Sequence, residues 1–102
     1  MLEAVLAAVR SSGATSVYLS NDVDGTDAAF ADATGTPEPD GLSPGFVVDL
    51  LRRLGREVGL SGADLSEVAP PVARTPGGAE RTLAVAARYL RETLAAILGA
   101  PV

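Results

Sequence analysis

The chain has no histidine and no cysteine among its 102 residues, and all eight of its basic side chains are arginine. Lacking cysteine, it can form neither a disulfide staple nor a thiolate nucleophile, and lacking histidine it supplies no imidazole as acid, base or metal ligand. Any metal held by this chain must be held by oxygen. Positive charge is also in deficit, with 13 acidic residues giving a net charge of −5, and aromatics make up only 4%. A nucleic-acid surface needs clustered cations and often stacking rings, so both shortages argue against such a partner. Arg52, Arg53 and Arg56 form one basic cluster, which reads as the solvated face of a helix. No apolar run approaches the ~20 residues of a membrane span. Met1 to Val9 carries Glu3 and lacks a basic start, unlike a secretory signal. The expectation is a cytoplasmic protein with no membrane partner.

What is present is ordinary for a globular chain. The 47% hydrophobic fraction can build a core, and the length allows one domain at most. Leu2, Val5, Leu6 and Val9 recur at helical spacing until Ser11, Ser12 and Gly13 interrupt them. Ser16 to Ser20 reads as a strand. From Asn21 to Leu42 there is no sustained period, and a loop this long inside a compact domain is usually functional or disordered. Ser43 and Pro44 give a cap followed by proline at the first helical position, and Val47, Leu50, Leu51, Leu54 and Val58 then supply an apolar face, with Gly59 as the stop. Ala63 to Ala69 reads as a second strand closed by Pro70 and Pro71. Thr75 and Pro76 repeat the cap-and-proline signal before a helix through Leu98, whose apolar positions are Leu83, Ala87, Leu90, Leu94 and Ile97. This αβ, loop, αβα order predicts parallel strands covered by helices. Two strands are too few for an independent parallel sheet, which suggests a piece of a larger one.

The densest chemistry lies at the predicted end of the first strand, in Asn21-Asp22-Val23-Asp24-Gly25-Thr26-Asp27. Residues two apart in an extended segment share a side, so Asp22 and Asp24 present two carboxylates together. Two such anions repel unless a cation or proton lies between them. Ligands of open α/β sheets bind outside the carboxyl ends of the strands, where this pair sits. A hard divalent ion, magnesium, manganese or calcium, fits that pair. Turn-capping by these aspartates is the plainer alternative. An EF-hand fails, because a loop begun at Asp22 places Asp27 where the turn glycine belongs and Ala33 where the bidentate glutamate belongs. Asp22-Val-Asp24-Gly-Thr26 also resembles the first motif of haloacid dehalogenase-type phosphatases, a minor alternative that would make Asp22 the nucleophile and Asp24 the acid and base.

A longer window is more specific. The stretch from Ser20 through Asp22-Val-Asp24-Gly, Phe30, Thr34-Gly-Thr36-Pro37 and Gly41-Leu42-Ser43 resembles the C-terminal signature of the ureohydrolases, the arginase, agmatinase and formimidoylglutamase family. Ala63-Asp-Leu-Ser-Glu67-Val68-Ala-Pro70 resembles that family's next strand, and Ala79 to Leu98 the long helix that closes its fold. The resemblance covers roughly residues 16–98. It implies the C-terminal part of a three-layer αβα sandwich with a parallel sheet, residues 1–102 forming a single segment of it and 21–42 the metal-site loop. It also implies a metal-dependent hydrolase that cleaves C–N bonds of linear guanidino or amidine compounds, with two manganese ions activating water. Asp22 and Asp24 match the family's metal-ligating aspartates. Glu67 matches the carboxylate that faces the cationic guanidinium, and Thr36 lies in the loop that helps shape the same wall.

Departures and absences qualify this. Asn21 stands where the family has an apolar residue, Ala28 and Asp32 stand where prolines are usual, and Asp40 replaces a common glycine. Pro37-Glu38-Pro39 leans toward agmatinase. The family site also uses histidines, and none is here. The chain is therefore expected to carry the aspartate half of a binuclear site and to be inactive alone, with a homo-oligomer expected at full length. The alternative from another class is a non-catalytic fragment or pseudoenzyme that acts only through association.

Overall fold

Two strands with three helices around them make up the computed structural model, which describes residues 1–99. The last three positions of the expected 1–102 segment lie outside the described residues. The order is helix α1 (Leu2–Ser11), strand β1 (Val17–Asp22), helix α2 (Pro44–Glu57), strand β2 (Leu60–Ser66) and helix α3 (Gly78–Leu98). β1 and β2 pair in parallel, with Asn21 opposite Leu65 and Asp22 opposite Ser66. The expected parallel pairing and αβα order are therefore present.

α2 begins as its sequence specifies. The Ser43 hydroxyl accepts the Phe46 N–H at 3.1 Å, satisfying one of the free donors of the first turn, and Pro44 occupies the first turn, where no N–H is needed. It ends at Gly59, which adopts φ +117° while its N–H returns to the Leu54 carbonyl at 2.8 Å. Val47, Val48 and Leu51 of α2, Leu60 of β2 and Tyr89 of α3 form the buried centre, with Val17, Leu19 and Leu65 packed against it from the sheet. The opposite sheet face is polar and exposed: Tyr18 and Ser20 donate to Asp64 at 3.0 and 3.1 Å. The shortest extent of the molecule is 17 Å, enough for a sheet and one layer of helices about 10 Å across.

Three expectations need correction. β1 runs two residues further than the Ser16–Ser20 reading, through Asn21 to Asp22, because the backbone of Asn21 pairs with Leu65 whatever its side chain. β2 starts and ends three residues earlier than Ala63–Ala69, leaving Glu67 just outside the strand. α3 runs from Gly78, one residue before the expected Ala79, to Leu98, but Thr75 is not its cap, because its hydroxyl is engaged by Asp32.

The periodic apolar positions of α3 face outward. Leu83, Leu90 and Leu94 are 48%, 51% and 58% exposed, while Thr82, Ala86, Tyr89 and Glu92 are buried. The basic cluster is also more than a solvated face. Arg52 pairs with buried Glu92, and Arg53 pairs with Glu57 and, at 2.7 Å, with Glu3. Arg10 reaches Glu57 from α1. The Arg53 guanidinium holds the carboxyls of Glu3 and Glu57 below their ordinary range. These pairs link all three helices. No described helix is long and apolar enough to cross a membrane.

Candidate functional site

Asp22 is the last residue of β1, and its Oδ1 accepts the Asp24 N–H at 3.1 Å. That bond starts a 3₁₀ turn over Val23–Gly25, which drives Val23 fully into the core. A side chain of this size, buried between two aspartates, fixes how the turn sits on the sheet. The next residue is tied down as well: the hydroxyls of buried Thr26 and Tyr89 share a hydrogen bond of 2.6 Å. Burial pushes the Tyr89 phenol up, so it stays neutral in that bond.

The loop that follows is closed at its base. Leu42 N–H donates to the Gly25 carbonyl and Asp27 N–H to the Leu42 carbonyl, each at 2.8 Å. Gly41 is required there, because a Cβ would come within 2.8 Å of the Gly25 oxygen and 2.9 Å of the Asp27 nitrogen. Further along, Ala31, Asp32, Ala33 and Thr34 are all buried. Ala33 N–H donates to Thr82 Oγ1 at 3.0 Å, and its carbonyl accepts the Ala69 N–H at 2.7 Å. The loop thus packs under the start of α3. Length and lack of period had left 21–42 open to being disordered; its backbone is instead heavily bonded.

This path delivers Thr36 back to the strand end. Its hydroxyl donates to Asp24 Oδ2 at 2.7 Å, joining two of the candidate residues directly. Asp22 is exposed, yet local desolvation pushes its carboxyl up from the ordinary value, and the neighbouring Asp24 carboxylate adds to the rise. Both effects disfavour a second negative charge at the strand end, and a bound cation would reverse them.

Glu67 comes to the same end of the sheet by register. It follows Ser66, the partner of Asp22 across the ladder. Its backbone is left-handed, at φ +69°, a conformation that costs a residue with a Cβ on the order of 1–2 kcal/mol. Its carboxylate is exposed and makes no ion pair among the described residues. Strain of this kind collects where a side chain must be aimed.

As a donor set, two carboxylates and a hydroxyl suit a hard divalent cation such as manganese. Among the described residues, however, no three acidic side chains gather closely enough to hold a metal between them. The donor chemistry fits, and the donor number is that of a partial site. The spacing argument singled out Asp22 and Asp24 on the expectation of an extended segment, but Asp24 lies in the 3₁₀ turn that follows β1, whereas the family resemblance supplied Thr36 and Glu67. The Thr36–Asp24 bond and the strained Glu67 backbone had no signal in the sequence, since both depend on separate segments meeting.

Comparison with known proteins identifies the family and the fold. Residues 1–96 match the arginase family. Guanidinobutyrase of Pseudomonas aeruginosa is 45% identical over 71 residues, covering 69% of this chain and 22% of that protein. Guanidinopropionase of the same organism is 49% identical over 71 residues, again 69% of this chain and 22% of the other. Among solved structures, the proclavaminate amidino hydrolase of Streptomyces clavuligerus superposes with a TM-score of 0.74 at 34% identity, over 99% of this chain and 33% of its own. The chain spans about a fifth of the length of the two curated relatives. With nearly its whole length matched and its fold shared, the chain belongs to the arginase family, as a short stretch of that α/β fold.

Proposed function

We propose that this chain carries the aspartate half of a manganese-dependent site that hydrolyses C–N bonds of linear guanidino compounds. The observation that carries the reading is the meeting of Thr36 with Asp24 at the end of β1, one register step from the strained and unpaired Glu67 at the end of β2. In this reading Asp22 and Asp24 would hold manganese, which when bound supplies Lewis-acid polarisation and lowers the proton affinity of water. The exposed Glu67 carboxylate faces the planar, cationic guanidinium of the substrate, a charge-assisted contact. Thr36 keeps Asp24 oriented by its hydroxyl. The names of the relatives, guanidinobutyrase and guanidinopropionase, support a guanidino substrate. The phosphatase-type alternative loses support, because residues 1–96 match the arginase family.

Two aspartates cannot fix the geometry that catalysis needs, so the 102-residue chain alone is expected to turn over no guanidino compound. Manganese titrated into the isotope-labelled chain should broaden the amide signals of Asp22 to Gly25 and of Thr36, with little heat in calorimetry. An Asp22→Asn, Asp24→Asn double variant should lose that broadening. Broadening centred elsewhere would sink the site assignment, and tight binding by this chain alone would sink the half-site reading. The second reading, a segment that acts only by association, draws its support from the exposed leucines of α3. A melt that rises with protein concentration and ignores manganese would favour it.

A further inference from the structure

Asp32 is a buried acid in a loop whose other buried members are alanine and threonine. Its Oδ2 accepts the Thr75 hydroxyl at 2.6 Å. Thr75 Oγ1 in turn accepts from Arg81 Nη2 at 2.5 Å, while Arg81 Nη1 donates to the Pro76 carbonyl at 2.9 Å. The second oxygen, Oδ1, lies against Gly78, where any Cβ would overlap the carboxylate, and it has no hydrogen-bond partner among the described residues. Gly78 opens the 21-residue α3, so the acid sits at the positive end of a long helix, with the Arg81 charge one hydrogen bond away. Those fields offset part of the cost of burying a carboxylate, but an apolar side chain would avoid that cost altogether. Stability alone therefore does not account for an acid at this position.

Its surroundings offer a reason. The residues just after it are fastened one by one to the segment that follows Glu67: Ala33 to Thr82 and Ala69, and Gly35 to Arg74 at 3.0 Å. Thr36 comes next and bonds to Asp24. At the start of this run the Asp32 side chain reaches across to Thr75.

We infer that Asp32 is a positioning residue. Its bond to Thr75 holds the turn from Ala33 to Thr36 against the start of α3, and so sets the Thr36 hydroxyl on Asp24 and fixes that wall relative to Glu67. The inference rests on the reading of Thr36, Asp24 and Glu67 as one site.

Amide hydrogen exchange on the full 102-residue chain tests it. Thr75→Val, nearly isosteric but without the donor, should speed exchange at Ala33 and Ala69 about tenfold, the size expected for a lost bond to a charged group. Leu51 and Leu54 in α2 should exchange as before. The Thr36 χ1 couplings should move toward rotamer averaging, and Thr75→Ser should restore both signals. Asp32→Ala should reproduce Thr75→Val, and the double variant should be no worse than either single. Equal acceleration across α2 would mean the bond only adds global stability, and would overturn the inference. So would unchanged loop exchange, a Thr75→Ser variant that fails to rescue, or a loop that exchanges at the intrinsic rate before any substitution. The manganese broadening at Asp22 and Asp24 reads the site separately. Broadening retained with the loop unmoved in Thr75→Val sinks the anchor alone, whereas a loosened loop in a chain that never broadens upholds the anchor and sinks the manganese reading.

Discussion

α2 and α3 use similar amphipathic sequences in opposite ways. α2 buries most of the apolar stripe that its periodicity announces, placing Val47, Leu51 and Leu54 together with Val48 in the core. α3 turns its most regular leucines outward and buries Thr82, Tyr89 and Glu92 among its core-facing residues. Each of those three polar groups has a specific partner: the Ala33 backbone, the Thr26 hydroxyl and the Arg52 guanidinium. α2 is held by area removed from water, whereas α3 is held in large part by bonds that need particular partners at particular places. Two of its three partners belong to the loop of the candidate site. α3 therefore serves as the support on which the Asp24–Thr36 wall is built, while its outward leucines stay about half exposed.

Substitutions in the two helices test this contrast. The largest effect should come from α2: Leu51→Ala removes a fully buried side chain and should cost about 2–5 kcal/mol, seen as loss of most of the cooperative melt of a domain this small. A near-silent Leu51→Ala would mean the core is not where α2 meets the sheet. On α3, Glu92→Gln leaves the buried shape but removes the charge that Arg52 meets, and since Arg52 is half exposed the loss should be about 1–3 kcal/mol by denaturant titration. An equal loss in Arg52→Gln, and no further loss in the double variant, would place the whole effect in the pair. Tyr89→Phe keeps the ring and removes the hydroxyl bonded to Thr26, for a loss of about 1 kcal/mol with faster amide exchange near Thr26. Were the melt lowered and that exchange left alone, Tyr89 would be packing only. Smallest of all, Leu90→Gln with Leu94→Gln should change the melt of dilute protein by less than about 0.5 kcal/mol. A large loss there, growing with protein concentration, would show that the outward face is covered by another copy.

Much of the fold was legible because it rests on local chemistry. Ser43 and Pro44 start α2 by satisfying and omitting N–H groups within one turn, and Gly59 ends it with a positive φ. Asp22 could be placed at the end of β1 from its residue types, whereas Asp24 sits in a 3₁₀ turn that strand alternation does not describe. What could not be read was where contacts cross the chain. Thr75 and Pro76 look like a helix start, yet Asp32, 43 positions away, takes the hydroxyl and the helix begins at Gly78. The run Ala63 to Ala69 reads as a strand, but the ladder with β1 ends at Asp22 opposite Ser66, so pairing stops before Glu67. The arginines of α2 look solvated because the sequence does not reveal that Glu3, Glu57 and Glu92 converge on them.

The sequence by itself determined the order of elements, the exclusion of thiol and imidazole chemistry, and the presence of two oxygen donors at a strand end, since residue type, period and capping act within a few positions. Only the tertiary structure decided which stripe of α3 is buried, how Thr36 reaches Asp24, and that Glu67 stands beside Asp22 in a strained backbone. Each of these is set by partners 12 or more residues apart in the chain, and their meeting depends on strand register and packing rather than on any local preference.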